Sequence, residues 1–258
     1  MTPEELDDVA AKLWVDRQSG DHAPSWLANR LNLDDALAIQ VRLLRRYEAD
    51  GAKLAGWKVG LTSERARQAL GADVRPFGFV TQALHSPVSV ATADVRRPSI
   101  EPEFVFTVGQ RLGAPDVTAQ QARAAMASVA AGYELNERRN GAVPRPDLPL
   151  FVTDRLSQWA VVEGAALPLT DATSFDPNAV LVRMRCNCEE RLVARSGDEL
   201  DDHWSSLARL AMGLHAHGLA LEPGQKVITG ALGRFNVEAG EHWFTTFEGI
   251  GDVEVRWT

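Results

Sequence analysis

Residues 101–108 read Glu-Pro-Glu-Phe-Val-Phe-Thr-Val, a run that combines the pattern of a β-strand with two carboxylates. Side chains alternate along a strand, so Glu101 and Glu103 point to the same face. A third acid, Glu134, follows after one helix-length segment, and a connecting helix could return it to the same place. Three carboxylate oxygens suit a hard divalent cation such as Mg²⁺.

The same pattern also fits a strand without a metal. Pro102 has no N–H to donate, so it suits an edge strand whose alternate positions face water. Carboxylates are common on protein surfaces. Two acids on one strand and a third at a distance are therefore compatible with a metal site but do not identify one.

Composition narrows the class of protein. The formal net charge of the 258 residues is −8 and no dense run of Lys or Arg is present, which argues against nucleic acid as a partner. Cys186 and Cys188 are predicted to share one face of a strand and lack a second pair for zinc, so we interpret them as incidental thiols. The chain lacks the pattern of a signal peptide or a membrane span. These features predict a cytoplasmic protein that does not bind membranes.

The spacing of apolar residues divides the chain into two portions. Pro3 marks a first helix, and a second helix begins near Asp34-Asp35 and stops at Gly51. From Gly56 onward, short β-branched or aromatic runs alternate with Gly, Pro and Asp, which is typical of strands and turns. Because no repeat or linker is evident, we predict one unit over residues 1–258, with a helical portion at 1–55 and a β-rich body at 56–258.

Further elements are predicted within the body. The patterns indicate a helix that Asp116 and Thr118 cap and whose Ala122, Ala125, Met126 and Val129 face the interior. They also indicate a long loop at 140–150, strands at 159–162, 179–184 and 226–229, and a helix at 204–217.

Several short motifs recur in a specific order. They are Gly56-Trp-Lys-Val-Gly-Leu-Thr-Ser63, Phe77-Gly78, Glu101-Pro-Glu-Phe104, Tyr133-Glu-Leu135, Thr229-Gly-Ala-Leu232 and Gly249-Ile-Gly251. Over nearly its whole length the chain resembles the fumarylacetoacetate hydrolase superfamily, and more narrowly its 2-keto-4-pentenoate hydratase and 4-oxalocrotonate decarboxylase branch.

The resemblance implies an α+β fold in which a mixed β-roll body carries an N-terminal helical portion. It implies a Mg²⁺ or Mn²⁺ ion held by Glu101, Glu103 and Glu134. The implied activity is that of a divalent-metal-dependent lyase, a hydratase or decarboxylase, that acts on a small 2-oxo or 2-hydroxydienoic acid of aromatic-ring degradation through a metal-stabilised enolate. It further implies a homo-oligomer that could associate with a pathway enzyme.

Four more residues receive roles through the resemblance or its motifs. Lys58 matches the lysine that such enzymes use near the reacting carbon; the alternative is a lysine that extends from a strand to solvent. Thr229 and Gly230 match a segment that holds the substrate carboxylate, and Leu61 lies in the motif of Lys58, so all three are predicted to contact the substrate. A plain β-bulge is the alternative for Gly230.

Two departures from the family pattern bear on the reaction. An aspartate commonly precedes the Phe-Gly pair in hydratases of this branch, where this chain has Pro76. The usual Ala-Asp-Asn-(Ala/Thr)-Ser occurs as Thr153-Asp-Arg-Leu-Ser157, which makes Asp154 either a candidate catalytic residue or a surface residue and puts Arg155 at a polar position. Hydration needs a proton shuttle and an oriented water, so these substitutions predict a poor hydratase and favour decarboxylation or enol–keto conversion.

Two other functions stay open. A C–C bond hydrolase of the wider superfamily usually has a His-Glu pair early in the chain, and no acid follows His22 in a suitable motif. The substitutions at Pro76 and Arg155 also fit a catalytically weak subunit that supports an active partner.

Overall fold

The computed structural model describes residues 1–70, 73–139, 147–170 and 175–258. The helices within these ranges are α1 (Pro3–Gln18), α2 (Leu33–Ala49), α3 (Glu64–Leu70), α4 (Ala119–Ala125), α5 (Leu148–Thr153), α6 (Ser196–Glu199) and α7 (His203–Ala216). The strands are β1 (Gly56–Val59), β2 (Phe77–Val80), β3 (Ala83–His85), β4 (Val88–Val90), β5 (Pro98–Val108), β6 (Met126–Glu137), β7 (Gln158–Glu163), β8 (Leu167–Pro168), β9 (Leu181–Cys186), β10 (Glu189–Arg195), β11 (Lys226–Ile228), β12 (Phe235–Asn236), β13 (His242–Phe247) and β14 (Gly251–Trp257). Helices and mixed sheets together confirm the predicted α+β class.

The strands form two sheets. The larger has the order β2-β1-β11-β5-β6-β7-β3, with β12 paired to β5 and β8 to β6, and the smaller has the order β10-β9-β13-β14-β4. Strands β5 and β6 are the long antiparallel pair at the centre of the larger sheet. The predicted connecting helix is too long: α4 ends at Ala125, and Met126 and Val129 belong to β6. A strand, and not a helix, therefore carries Glu134 to its place.

The hydrophobic core lies between the inner faces of the two sheets. Phe104 of β5 packs edge-on against Phe247 of β13, with ring centroids 5.0 Å apart. The Tyr133 hydroxyl of β6 shares a hydrogen bond of 2.7 Å with Thr245 Oγ1. Alternation along β5 and β6 then directs Glu101, Glu103 and Glu134 to the opposite face of the larger sheet. A slip of one residue in register would put these acids into the core.

Pro102 does not mark an edge strand, because β5 lies between β11 and β6. Along β5, the residues paired with β11 end at Val105, and the residues paired with β12 begin at Ile100. Pro102 lies in the gap between them, where its carbonyl accepts a hydrogen bond of 3.2 Å from Leu232 N. The N–H and C=O of a residue in an antiparallel strand point to the same side, so no neighbouring strand needs the N–H that proline lacks.

The contacts of the two N-terminal helices with the body include an apolar cluster and a buried amide. Thr2 and Glu5 form a capping box at the start of α1, and Asn32 caps α2. The cluster contains Leu6, Ala10, Leu13, Ala23, Leu27, Ile39, Leu43 and Leu150. Gln40 of α2 is buried and its Nε2 donates to the carbonyl oxygens of Phe77 at 3.0 Å and Val152 at 2.7 Å.

Two sequence predictions need correction. Cys186 ends β9 and is buried, whereas Cys188 is exposed; both are free thiols that do not share a face, because Asn187 and Cys188 turn the chain with φ of 48° and 75°. Residues 140–146 of the predicted loop lie outside the described residues. From Leu148 the chain is helical, since Asp147 caps α5. Among the described residues, no helix has the length and apolar character needed to cross a membrane.

We expect Gln40→Leu to lower the free energy of unfolding by about 2–4 kcal/mol, because two buried carbonyl groups would lose their donor. Urea unfolding followed by circular dichroism measures this change. Gln18→Leu, at an exposed position of α1, is the matched control and should change stability by no more than about 0.5 kcal/mol. Equal effects in the two variants would contradict the bridging role of Gln40.

His203 begins α7 and is fully buried. Its Nε2 shares a hydrogen bond with Ser196 Oγ and its Nδ1 with Thr229 Oγ1, each 2.6 Å long. Burial lowers the pKa of His203 from 6.5 to about 4. As pH falls through 6.5, the unfolded chain gains a proton that the folded protein binds only near pH 4, so stability decreases across this window.

The pH dependence of unfolding therefore tests the state of this histidine. Between pH 7 and pH 4.5, His203 should account for a loss of about 2–3 kcal/mol in the free energy of unfolding. His203→Gln removes the titrating ring, so its stability should fall less than that of the wild type over the same range. Parallel pH profiles for the two proteins would show that His203 is not held neutral.

Candidate metal centre

Three buried carboxylates meet on the face of the larger sheet that points away from the core. Glu101 and Glu103 lie two residues apart on β5, and Glu134 lies directly opposite Glu101 on β6. One oxygen from each carboxylate lies within 4.8 Å of the others. The exposed fractions of these residues are 8%, 2% and 0%, so they are not solvated surface acids.

Lys58 reaches this cluster from β1. Because its neighbours Trp57 and Val59 enter the core, alternation directs Lys58 to the face of the carboxylates. Its Nζ donates to Glu134 Oε1 at 2.5 Å and Oε2 at 2.6 Å. The residue opposite Lys58 on β2 is Gly78, where an added Cβ would lie 3.0 Å from Lys58 Cγ. Lys58 therefore extends over Gly78 toward Glu134 and does not reach out to solvent.

Gly230 holds the carboxylate of Glu103. Its N–H donates to Glu103 Oε2 at 2.7 Å. Its φ of 136° is unfavourable for other residues, and an added Cβ would lie 1.9 Å from Thr62 Oγ1. Only glycine therefore allows this segment, which leaves the sheet after β11, to approach the carboxylates so closely.

The electrostatics of the cluster favour a bound cation. Burial raises the pKa of Glu103 well above its usual range, and the charge of Glu134 adds to this effect. Burial also raises the pKa of Glu134 to about 7, against the opposing charge of Lys58. The nearest other cation in the described structure is Arg234, with Nε 3.4 Å from Glu101 Oε1. Three carboxylates are thus only partly neutralised, and a divalent cation with a preference for oxygen ligands fits them.

The carboxylates form part of the wall of a cavity of about 750 Å³. This volume is within the range of small-molecule sites. Among the predicted substrate contacts, Leu61 and Gly230 line the cavity beside Lys58. Thr229 is fully buried, does not line the cavity, and has its hydroxyl bonded to His203.

Asp154 also lines the cavity, where it pairs with Arg139 and His22. Both of its carboxylate oxygens accept from Arg139 Nε at 3.1 Å, and Oδ1 lies 3.2 Å from His22 Nδ1. Burial alone would raise the pKa of Asp154, but the charge of Arg139 and the hydrogen bond from His22 lower it below its usual range. Asp154 therefore remains ionised and orients His22.

Pro76 and Arg155, the two departures from the family pattern, do not line the cavity. Arg155, Leu156 and Ser157 have left-handed φ angles of 57°, 56° and 66°, a sequence of three such residues that turns the chain sharply after α5. The Arg155 guanidinium consequently packs over the ring of Tyr47, 5.1 Å from its centroid, while Ser157 faces the cavity. The identities of Pro76 and Arg155 are thus no evidence for the loss of polar groups from the site.

Several polar residues of the cavity wall had no predicted role there, among them His22, Asn136 and Arg139. Asn136 had a signal, because it lies two residues after Glu134 and strand alternation gives both the same face. His22 and Arg139 had none, since their partner Asp154 is 132 and 15 residues away in the chain.

No protein-family model matches the chain. Curated relatives match it over most of its length. The chain is 28% identical to a 2-hydroxyhexa-2,4-dienoate hydratase of Comamonas testosteroni, a match that covers 88% of this chain and 87% of the relative. It is 24% identical to a 2-keto-4-pentenoate hydratase of Paraburkholderia xenovorans, a match that covers 99% of this chain and 96% of the relative.

Solved structures share the fold. A 4-oxalocrotonate decarboxylase from Pseudomonas putida G7, complexed with magnesium and adipate, has a TM-score of 0.88 and 23% identity, and the match covers 100% of this chain and 99% of that one. A fumarylpyruvate hydrolase from Pseudomonas aeruginosa, in complex with Mn²⁺ and pyruvate, has a TM-score of 0.61 and 18% identity. That match covers 78% of this chain and 88% of the hydrolase chain. Over most of its length the chain is thus similar to 2-keto-4-pentenoate hydratases and 4-oxalocrotonate decarboxylases, and it shares the fold of the 4-oxalocrotonate decarboxylase and fumarylpyruvate hydrolase structures.

Proposed function

We propose that this protein is a divalent-metal-dependent lyase that hydrates or decarboxylates a small 2-oxo or 2-hydroxydienoic acid. The observation that carries the proposal is the group of three buried carboxylates with Lys58 in the wall of a cavity of small-molecule size. Relatives that match most of the chain are named as a hydratase and a decarboxylase, which supports the same class of reaction. Assays with 2-hydroxypenta-2,4-dienoate and 4-oxalocrotonate, with and without Mg²⁺, test it.

Glu101, Glu103 and Glu134 would hold a Mg²⁺ or Mn²⁺ ion. When bound, such an ion polarises a 2-oxo group and stabilises the negative charge of an enolate. Gly230 keeps the Glu103 carboxylate in place through its N–H, and Lys58 does the same for Glu134. Leu61 and Gly230 line the cavity next to these groups and are the proposed contacts of the substrate. In this proposal Thr229 does not contact the substrate. Its hydrogen bond to His203 fixes the backbone that carries Gly230.

Lys58 is the proposed proton carrier at the carbon that is protonated when the enol becomes a ketone. An ammonium group has three donors, and two of them are used by the oxygens of Glu134. The third remains for the substrate, since the side chain lines the cavity. A positioned acid or base of this kind contributes typically 10²- to 10⁴-fold to a rate.

His22 and Asp154 are proposed to act together on a water molecule. In this proposal the Asp154 carboxylate accepts from Nδ1–H of His22, so Nε2 is the nitrogen that can take a proton from the water. In this scheme Asp154 orients His22 and does not itself carry a proton. The pair supplies the polar function that Pro76 and Arg155 were expected to remove, so hydration is retained in the proposal beside decarboxylation.

The same pair supports a second candidate, a C–C bond hydrolase, because hydrolysis also needs an activated water. Fumarylpyruvate as an assay substrate separates this activity from the lyase reactions. Turnover by the isolated protein with any of the three substrates would exclude a merely supporting subunit.

We expect Glu101→Gln, Glu103→Gln and Glu134→Gln each to lower the affinity for Mg²⁺ or Mn²⁺ at least about 100-fold. Mutation of a residue that only hydrogen-bonds to a metal ligand typically lowers metal affinity about 10- to 100-fold, and loss of a direct ligand should have a larger effect. Isothermal titration calorimetry measures this. Glu163→Gln is the matched control, since Glu163 is also buried in the larger sheet but pairs with Lys226. Unchanged affinity in all three ligand variants would refute the site.

Thermal unfolding separates loss of a ligand from loss of the fold. Without metal, Glu103→Gln should be at least as stable as the wild type, because it removes a buried negative charge and keeps an oxygen for the N–H of Gly230. With Mg²⁺, the wild type should gain stability and the variant should not.

We expect Lys58→Met to lower turnover about 10²- to 10⁴-fold while metal binding is retained, because the variant loses a proton carrier and no metal ligand. Stopped-flow or steady-state assays on a substrate turned over by the wild type measure this. Lys226→Met, at the lysine that pairs with Glu163 outside the cavity wall, should leave turnover unchanged. Wild-type turnover in Lys58→Met would remove Lys58 from the mechanism.

A further inference from the structure

Arg17 is a buried cation that forms no ion pair among the described residues. It lies in the last turn of α1 and is 6% exposed. Its Nη2 donates to the carbonyl oxygen of Thr153 at 2.8 Å, whereas its Nε and Nη1 have no hydrogen-bond partner within the described ranges. A buried charge without an opposite charge in contact costs free energy, so the position of this guanidinium needs a reason.

The carbonyl group before that of Thr153 shows that a neutral donor can satisfy this part of the backbone. The carbonyl oxygen of Val152 accepts from Nε2 of Gln40, an uncharged amide, at 2.7 Å. Thr153 accepts from a guanidinium instead. The peptide group after Thr153 leads directly to Asp154, whose side chain lines the cavity. The charge of Arg17 is therefore placed beside the backbone of Asp154.

Arg17 fixes the peptide group that joins Thr153 to Asp154. The carbonyl oxygen of this group accepts from Arg17, and its N–H donates to the carbonyl oxygen of Phe151 at 3.2 Å. A peptide group is planar, so hydrogen bonds at both ends set its orientation. The backbone from which the Asp154 carboxylate extends is thus held by α1 as well as by α5.

The end of α1 also delivers His22 to the same carboxylate. Gly20, with a φ of 89°, turns the chain between Arg17 and His22. Nδ1 of His22 then lies 3.2 Å from Asp154 Oδ1. The N-terminal helical portion therefore meets this part of the body at two points, Arg17 at the Thr153 carbonyl and His22 at the Asp154 carboxylate. Two contacts between the same short segments fix the distance and the angle of the His22 ring.

The charge of Arg17 supports the same arrangement. Burial raises the pKa of Asp154, while the charge of Arg139, the hydrogen bond from His22 and the charge of Arg17 together lower it below its usual range. Buried charges are screened much less than exposed ones. Arg17 thus helps to keep the Asp154 carboxylate ionised, as the acceptor that orients His22.

We propose that Arg17 is a positioning residue for the pair that acts on water. It fixes the peptide group before Asp154 and thereby directs Nε2 of His22 toward the water molecule that adds to the substrate. This inference rests on the proposed function, because it needs His22 and Asp154 to act on water. It gives α1 a role in hydration and none in the conversion of enol to ketone, which uses the cation and Lys58.

Two reactions separate this role from a role in folding. Hydration of 2-hydroxypenta-2,4-dienoate, measured by NMR as formation of the hydrated product, needs the positioned water. Exchange of the C3 hydrogens of 2-oxopentanoate with solvent deuterium needs the cation and Lys58 only, since this acid has no carbon–carbon double bond to hydrate. In Arg17→Met, hydration should fall about 10- to 100-fold, because a misplacement of about 1 Å can cost about 10²-fold. The Mg²⁺-dependent exchange should be unchanged.

Two further variants define the effect. Arg17→Lys keeps a charge and a donor for the hydrogen bond to Thr153, which uses a single guanidinium nitrogen, so it should recover most of the hydration rate. Arg42→Met is the matched control, because Arg42 of α2 pairs with Asp7 of α1 outside the cavity wall. This control should leave both reactions unchanged.

The outcomes distinguish the role of Arg17 from the proposed function. Wild-type hydration in Arg17→Met, or an equal loss of hydration and exchange, would overturn the role of Arg17. A wild type that catalyses the exchange but not the hydration would overturn it as well, and would leave the metal site standing. Absence of Mg²⁺-dependent exchange from the wild type would overturn the proposed function itself.

Discussion

Repulsion among three buried carboxylates is the constraint around which this molecule is arranged. Glu101, Glu103 and Glu134 place one oxygen each within 4.8 Å of the others, away from solvent. Such a cluster is unfavourable unless positive charge or hydrogen-bond donors accompany it. Lys58 and the N–H of Gly230 partly meet this need, and a divalent cation would meet the rest. The carboxylates stay together because the core on the other face of the sheet determines the register of β5 and β6.

The register depends on large side chains that point the opposite way. Phe104 and Tyr133 alternate with the acids and pack against the smaller sheet. Since strand alternation has a period of two residues, the same hydrogen bonds that bury these rings also gather the carboxylates. Stability and the composition of the site are thus set by one strand pairing.

Part of the cavity wall comes from segments outside the regular strands. Leu61 has a φ of 58°, and residues 155–157 form a run of left-handed backbone. Conformations of this kind are unfavourable and persist only where the surroundings hold them. Here the run sends Arg155 onto Tyr47 and turns Ser157 into the cavity. A substitution that looks like the loss of a polar group in sequence is therefore a side chain that faces elsewhere.

The sequence by itself determined the two N-terminal helices, the β-rich body from Gly56 onward and the position of Glu101 and Glu103 on one face, because these follow from local periodicity. It also pointed to Lys58 and Glu134 through motif order. Only the tertiary structure decided that Glu134 arrives on a strand opposite Glu101, that Pro102 lies within a sheet, and that Asp154 joins His22 to Arg139. The physical reason is that alternation and helical spacing act over a few residues. Contacts such as that between His22 and Asp154 depend instead on how sheets, helices and left-handed turns pack across more than a hundred residues of chain.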